Sequence, residues 1–289
     1  MEQFGSNQTP LKPGLHIVAT PIGNLKDISE RALDTLRRAD AIACEDTRVT
    51  AKLLQAYLIK KPMMAYHEHN GDQMRPKIEA MIADGKAIAL VSDAGTPLIS
   101  DPGYKLVRDL VDADVLVTSI PGASALITAL TLAGLPTDKF IFLGFPPNKS
   151  TARQKWYEKV AKTDGTLVFY ESTRRLPESL SDAASVLGER KAAVCRELTK
   201  KFEEVRRDNL SELSNHYVVE GAPKGEAVVV IEAKQTQTST DGSSYDTRVL
   251  IEKALKHMSV KSAAAFVADL TGERKKEIYQ MALELSGDG

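Results

Sequence analysis

The sequence predicts an α/β protein: two α/β domains followed by a small C-terminal helical appendage. Three observations carry this reading. Short apolar runs of strand length alternate with segments of helical periodicity from residue 15 onward. The alternation pauses at Leu135-Pro136-Thr137-Asp138 and then restarts. The polar stretch 235–244 contains no apolar residue and precedes three segments of helical pattern. The boundaries follow: a disordered N-terminus at 1–13, a first α/β domain at 14–137, a second at 138–234, a flexible linker at 235–246 and a helical tail at 247–289.

Each element has a local reason. Residues 15–19 form an apolar run of strand length, closed by Thr20-Pro21-Ile22-Gly23-Asn24. Ser29 stands as N-cap of a helix to residue 38, with Ala32, Leu33 and Leu36 on one face. Residues 39–43 read as a second strand, 47–57 as a second helix and 63–66 as a short third strand. A helix over 73–83 stops at Asp84-Gly85. Residues 87–91 are continuously apolar, as in a parallel sheet covered on both faces, and 115–120 repeat the pattern after another helix. This alternation implies a parallel sheet with helices on both faces. Strands are predicted at 140–145, 166–170, 192–196 and 227–232 in the second domain. In the tail, helices are predicted at 247–257, 259–270 and 273–285, with Ser259 and Thr271 at N-cap positions.

Composition narrows the function. The 289 residues carry 38 Lys+Arg against 39 Asp+Glu, a net charge of −1, unlike a protein that coats polyanions. No run reaches the roughly 18 apolar residues that span a bilayer. The first 14 residues have no apolar segment of the signal-peptide kind. Cys44 and Cys195 are the only cysteines, so neither a disulfide framework nor a Cys-rich zinc site is available. A cytoplasmic enzyme or binding protein is expected. Charge is uneven, however: −2 over 1–147, +3 over 148–216, −3 over 217–247 and +1 over 248–289.

The strongest local feature is the loop VSDAGTPLISDPG at 91–103, between a buried strand and a helix. In an open α/β sheet, ligands bind outside the carboxyl ends of strands. Gly95 permits close approach of backbone, and Pro97 and Pro102 stiffen the loop. The loops at 20–24 and 121–125 occupy equivalent strand ends, so three loops form one cluster. None is a dinucleotide fingerprint or a Walker loop.

The segments VATPIGNL, SDAGTPLISDPG, PGASA, FLGFPP, FYESTRR and CRELTK together resemble the tetrapyrrole-methylase (class III) superfamily of S-adenosylmethionine-dependent methyltransferases. The resemblance spans about residues 15–233. Within the superfamily the motifs are most similar to the bacterial subgroup that methylates the ribose 2′-hydroxyl of a cytidine in the decoding region of 16S ribosomal RNA. It implies two α/β domains with S-adenosylmethionine in the cleft between them, a homodimer, and 16S rRNA of the small ribosomal subunit as partner. Carried over by position, the cofactor contacts are Pro21, Asp93, Ala94, Gly95, Thr96, Ile99, Ser124, Ala125, Glu171, Leu198 and Glu226, with Gly225 beside the last. The family's aspartate position holds Thr96 here, and Asp93 precedes the glycine instead. The cofactor's positive sulfonium calls for carboxylates and carbonyl oxygens rather than a basic cradle.

Methylating a ribose hydroxyl requires a group, or water, to accept its proton. The candidates are Glu45, Asp46 and Arg48, and His67, Glu68, His69 and Asn70, of which Asp46, Arg48 and His69 are put forward as catalytic. Capping of the following helix is the equal alternative for Asp46. No metal is predicted, because His67-x-His69 brings no further ligand at a defined spacing. Arg174, Arg175, Lys200, Lys201, Arg206 and Arg207 are the candidate RNA contacts, against the simpler reading of a solvated charged face. Lys256, Lys261, Arg274, Lys275 and Lys276 of the tail extend that surface, and two short helices joined by a Thr-Gly turn resemble a helix-turn-helix, against the simpler reading that any helical hairpin needs such a turn. Two other functions compete: C-methylation of a tetrapyrrole precursor on the same fold, and RNA binding without catalysis.

Overall fold

The computed structural model describes residues 10–221, 223–234 and 247–286. Of the N-terminus expected to be disordered at 1–13, residues 1–9 lie outside them, as do the linker at 235–246 and the tail's last three residues. Residues 10–13 are described, and Leu11 packs against a buried cluster that includes Leu36 and Ile42. No helix among the described residues is long and apolar enough to cross a membrane. The chain divides into two compact units, residues 1–234 and 235–289.

The first sheet is built from β1 (Gly14–Val18), β2 (Ala41–Cys44), β3 (Met63–Ala65), β4 (Ala87–Val91) and β5 (Val117–Ile120), in the order β3-β2-β4-β1-β5. All pairs are parallel. The chain moves outward from β1, returns to insert β4 beside it, and then places β5 on the other side, so the strand order reverses at β1 and β4. Helices cover both faces, as expected. On one face α1 (Glu30–Arg38) and α2 (Thr47–Ala56) bury Ala32, Leu36 and Leu54. On the other, α3 (Gly71–Ala83) and α4 (Tyr104–Asp112) bury Ile78, Ile82, Leu106 and Leu110. Each buried Leu or Ile among them contributes about 1.5–3 kcal/mol. Ser29 caps α1, its hydroxyl accepting from the Ala32 amide at 3.1 Å.

The second sheet has the order β6-β7-β10-β8-β9, from β6 (Phe140–Phe142), β7 (Thr166–Ser172), β8 (Lys191–Arg196), β9 (Glu204–Asn209) and β10 (Glu226–Ile231). Only β6 and β7 pair in parallel, and the other pairs are antiparallel. β9 is absent from the sequence reading. It is an edge strand, EVRRDN, and an edge needs little apolar character. Residues 197–203 join it to β8, too short a link for a parallel crossover. One face of the sheet packs on α6 (Ser150–Val160), α7 (Leu176–Leu187) and α8 (Leu210–Val219).

The other face is covered by α5 (Ala125–Ala133), which precedes the predicted boundary at 138. Its Leu126, Ala129, Leu130 and Ala133 bury against Val168, Ala193, Cys195, Val228 and Val230. The first half of the chain thus supplies part of the core of the second sheet.

The second unit contains α9 (Thr247–Leu255), α10 (Val260–Thr271) and α11 (Lys275–Ser286), packed around Ile251, Ala263, Ala264, Val267 and Ile278. Ser259 caps α10 as read. Thr271 does not cap the next helix. It is the last residue of α10, its hydroxyl donates to the Val267 carbonyl at 2.8 Å, and Gly272 at φ 72° ends the helix.

Candidate active site

The three loops at the carboxyl ends of β1, β4 and β5 meet. Thr20 and Gly95 exchange backbone hydrogen bonds of 2.8 and 3.0 Å. The Thr96 hydroxyl donates to the Ala123 carbonyl at 3.1 Å, tying in the third loop. Leu98 and Ser100 adopt left-handed backbone, at φ 73° and 65°. Such strain persists only where the surroundings enforce it, and it is common at ligand sites.

A second strained segment follows β8, with Glu197 at φ 50° and Thr199 at φ 65°. It reaches the first loop: the Asn24 amide donates to the Thr199 hydroxyl at 3.1 Å. A Cβ on Gly23 would lie 2.5 Å from Lys200 Cγ and 3.0 Å from the Leu198 carbonyl oxygen, so this approach requires glycine.

Between these loops and the ends of the second sheet lies a cleft of about 660 Å³. Its lining includes six carboxylates, Glu45, Asp93, Asp101, Glu171, Glu197 and Glu226, and two cations, Arg175 and Lys200. Both cations are already engaged. Arg175 pairs with Glu171 at 2.6 Å, and Lys200 bridges Glu197 at 2.9 Å and Glu226 at 3.1 Å. Burial opposes the charge on Lys200, but those two hydrogen bonds hold its ammonium above the ordinary range. Glu171 is buried; Oε1 accepts from Arg175 and from the Ser172 amide, while Oε2 has no partner.

Burial pushes the Glu45 carboxyl above its ordinary value, and Asp93 and Asp101 push it further. Burial also raises Asp93, with Asp46 adding to it, and raises Asp101, with Asp93 adding. Asp46 behaves oppositely. It caps α2, accepting from the Arg48 amide at 2.8 Å, and its carboxylate holds the Arg48 guanidinium at 2.6 Å. These bonds hold its carboxyl at about 2.

Of the eleven predicted cofactor contacts, ten line the cleft: Asp93, Ala94, Gly95, Thr96, Ile99, Ser124, Ala125, Glu171, Leu198 and Glu226. Pro21 does not, and its neighbour Ile22 does. Asp46, Arg48 and His69 stand outside the lining, while Glu45 belongs to it. His69 faces His67, ring centroids 6.0 Å apart, in a turn where Asn70 accepts from the His67 amide at 2.8 Å. No group of three or more His, Cys, Asp or Glu able to hold a metal ion occurs among the described residues.

The predicted RNA contacts divide. Arg175 and Lys200 line the cleft. Arg174 and Lys201, next to them in sequence, are exposed. Arg206 pairs with Glu204 at 3.3 Å, and Arg207 donates to the Leu132 and Ala133 carbonyls at the end of α5. Asp101, Phe145, Tyr170 and Glu197 line the cleft without having been singled out. The signal was present for Phe145, in the FLGFPP motif after a strand, and for Asp101, inside the longest loop.

Residues 14–214 match the family model for Tetrapyrrole (Corrin/Porphyrin) Methylases, and residues 241–286 match the RsmI C-terminal HTH domain. The chain is 48% identical over 284 residues to a protein of Mesorhizobium japonicum named ribosomal RNA small subunit methyltransferase I, covering 97% of this chain and 96% of that one. A protein of the same name from Erythrobacter litoralis is 50% identical over 283 residues, covering 98% and 99%. The fold matches a crystal structure of uroporphyrin-III C-methyltransferase from Thermus thermophilus complexed with S-adenyl homocysteine, at TM-score 0.51 and 16% identity, over 75% of this chain and 96% of that one. With its sheets, its loops and these relatives taken together, the chain belongs to the tetrapyrrole methylase family.

Proposed function

We propose that this protein transfers a methyl group from S-adenosylmethionine to the ribose 2′-hydroxyl of a cytidine in the decoding region of 16S ribosomal RNA, acting in the cytoplasm on the small subunit and as a homodimer. The observation that carries this reading is an anionic cleft, built from the family's loops, in a chain aligned over nearly its full length with relatives named for small-subunit rRNA methylation. When bound, the cofactor supplies a methyl group on a positively charged sulfur, which becomes a neutral thioether on transfer.

The residues present fit that cofactor. A volume of about 660 Å³ suits a ligand of this size. Carboxylates attract the sulfonium and the amino group. The first turn of α5, where the Ser124 side chain makes no capping bond, offers amides to the cofactor's carboxylate. Leu198, Ala227 and Val228 provide apolar walls for adenine.

Glu45 accepts the proton that the ribose hydroxyl loses as its oxygen gains the methyl group. It lines the cleft, and its raised pKa makes it a stronger base than an ordinary carboxylate. Holding the reacting atoms in line supplies most of the remaining rate. Exposed Arg174 and Lys201 meet RNA phosphates outside the cleft.

Nucleoside mass spectrometry of small-subunit RNA from cells with and without the gene tests the reading. Loss of one 2′-O-methylcytidine on deletion is the expected result. An unchanged ribose-methylation pattern, or loss of a base methyl group instead, contradicts it.

A further inference from the structure

The anionic cleft presents a problem to any RNA acceptor. Every phosphate brings negative charge, and the two cations in the lining are bonded to carboxylates. What enters must therefore be the neutral part of a nucleotide, held by something other than charge. The FLGFPP motif supplies a candidate. Phe145 is 57% exposed, although large and apolar, and it lines the cleft. A half-exposed aromatic ring within a ligand-sized cleft offers a face on which a base can stack.

The ring is also well supported. Gly144, at φ 70°, accepts from the Tyr170 amide at 2.9 Å, which fixes the loop to β7, and Pro146 and Pro147 restrict the backbone that follows. Tyr170 meets Phe145 edge to face at 5.4 Å and 60°, and Phe142 meets Tyr170 at 4.9 Å and 63°. Ser100 Oγ lies 3.8 Å from where a Cβ on Gly144 would stand, so the 91–103 loop comes against this one. Ser100 adjoins Asp101, whose charge bears on both Tyr170 and Glu45. The loop that carries Phe145 therefore adjoins the loop of Asp101, a carboxylate whose charge acts on the proton acceptor Glu45. Leu198, Ala227 and Val228, the apolar walls suited to adenine, belong to β10 and the segment after β8.

We infer that Phe145 is the stacking platform for the acceptor nucleobase, which enters the cleft unstacked from its RNA while its phosphates remain at the rim. This rests on the proposed reaction. It extends that reaction by stating where the acceptor's base lies and why an acidic cleft can admit RNA. Stacking is tolerant of base identity, so this contact positions the nucleotide without choosing its sequence.

The test compares Phe145→Ala, Phe145→Leu and Phe145→Trp in the full-length protein. The readouts are KM and kcat for methylation of small-subunit RNA, together with calorimetric affinity for S-adenosylhomocysteine. Phe145→Ala is expected to raise KM for RNA roughly 10- to 100-fold and to leave the affinity for S-adenosylhomocysteine unchanged. Phe145→Trp restores the wild-type KM, whereas Phe145→Leu, apolar but not aromatic, stays close to the alanine variant. An unchanged KM in Phe145→Ala, a leucine variant equal to wild type, or a parallel loss of S-adenosylhomocysteine affinity would overturn the inference. Absence of ribose methylation by the wild-type protein would overturn the underlying reaction and this inference with it. Wild-type activity with an unaffected alanine variant overturns this inference alone.

Discussion

Glu45 and Asp46 are adjacent carboxylates with opposite surroundings. Asp46 is committed to its helix cap and to Arg48, so it stays ionised and weakly basic. Glu45 is held above the ordinary glutamate value by burial and by the acidic neighbours Asp93, Asp101 and Asp46. Glu45→Gln is therefore expected to lower kcat roughly 100-fold. The wild-type rate should rise with pH through the raised Glu45 pKa, and the variant should lose that limb. Asp46→Asn, which retains a capping oxygen, should leave kcat near wild type. Stability moves the other way. A raised carboxyl pKa means the fold disfavours ionised Glu45, so the penalty is absent below the ordinary glutamate value and grows as pH rises past it. Glu45→Gln should melt higher than wild type at pH 7 and alongside it at pH 4, as calorimetry would show. The sequence displays the pair Glu45-Asp46 but not which carboxylate faces the cleft. That depends on where β2 ends and on the cap that claims Asp46.

At the scale of elements, the apolar strands and amphipathic helices were legible because their periodicity is a consequence of burial. β9 was not, because an edge strand with a single apolar residue, Val205, carries no such signal. The position of α5 was hidden for another reason. Its sequence, ALITALTLA, announces burial but does not say against which sheet. Seven of the ten predicted residues that line the cleft were legible because they sit in the glycine- and proline-rich loops after β4 and β5 or at the start of α5. The bridge among Glu197, Lys200 and Glu226 was not, since it joins the segment after β8 to the start of β10. Gly225 makes that bridge possible. It has φ 110°, and a Cβ there would run into the Glu197 carboxylate. Gly225→Ala is expected to destabilise the fold by about 1–3 kcal/mol through its backbone conformation. By displacing Glu197 it should also weaken S-adenosylhomocysteine binding. Urea unfolding and calorimetry read the two effects, and an alanine variant matching wild type in both would remove the bridge from the account of the cleft.

For residues 1–234 as a whole, α5 comes from the first half of the chain yet packs into the core of the second sheet, so the two halves should unfold together. Trp156, the only tryptophan, reports on the second half, whereas Leu36 lies in the core of the first sheet. Leu36→Ala removes about 2–5 kcal/mol and should lower the urea midpoint seen by Trp156 fluorescence. A midpoint left in place would mean that the halves unfold separately. Charge is also a property of the whole chain. The net charge of −1 is unlike that of a polyanion binder, yet it sums an acidic cleft and a region of +3 over residues 148–216. Much of that surplus is internally engaged: Arg175 and Lys200 in the cleft, Arg206 on Glu204, and Arg207 on the end of α5. Arg174 and Lys201 remain exposed beside the cleft-lining residues. Lys149, Lys155, Lys159, Lys162 and Lys191 are exposed elsewhere in that region. The near-neutral total charge should nonetheless keep affinity for arbitrary free RNA weak. Arg174→Ala with Lys201→Ala should lower the slope of log affinity against log salt by about one to two, while S-adenosylhomocysteine binding stays unchanged. Filter binding across a salt series measures the slope. Tight binding of unrelated RNA that persists at high salt would place the RNA contact elsewhere and separate it from the cleft.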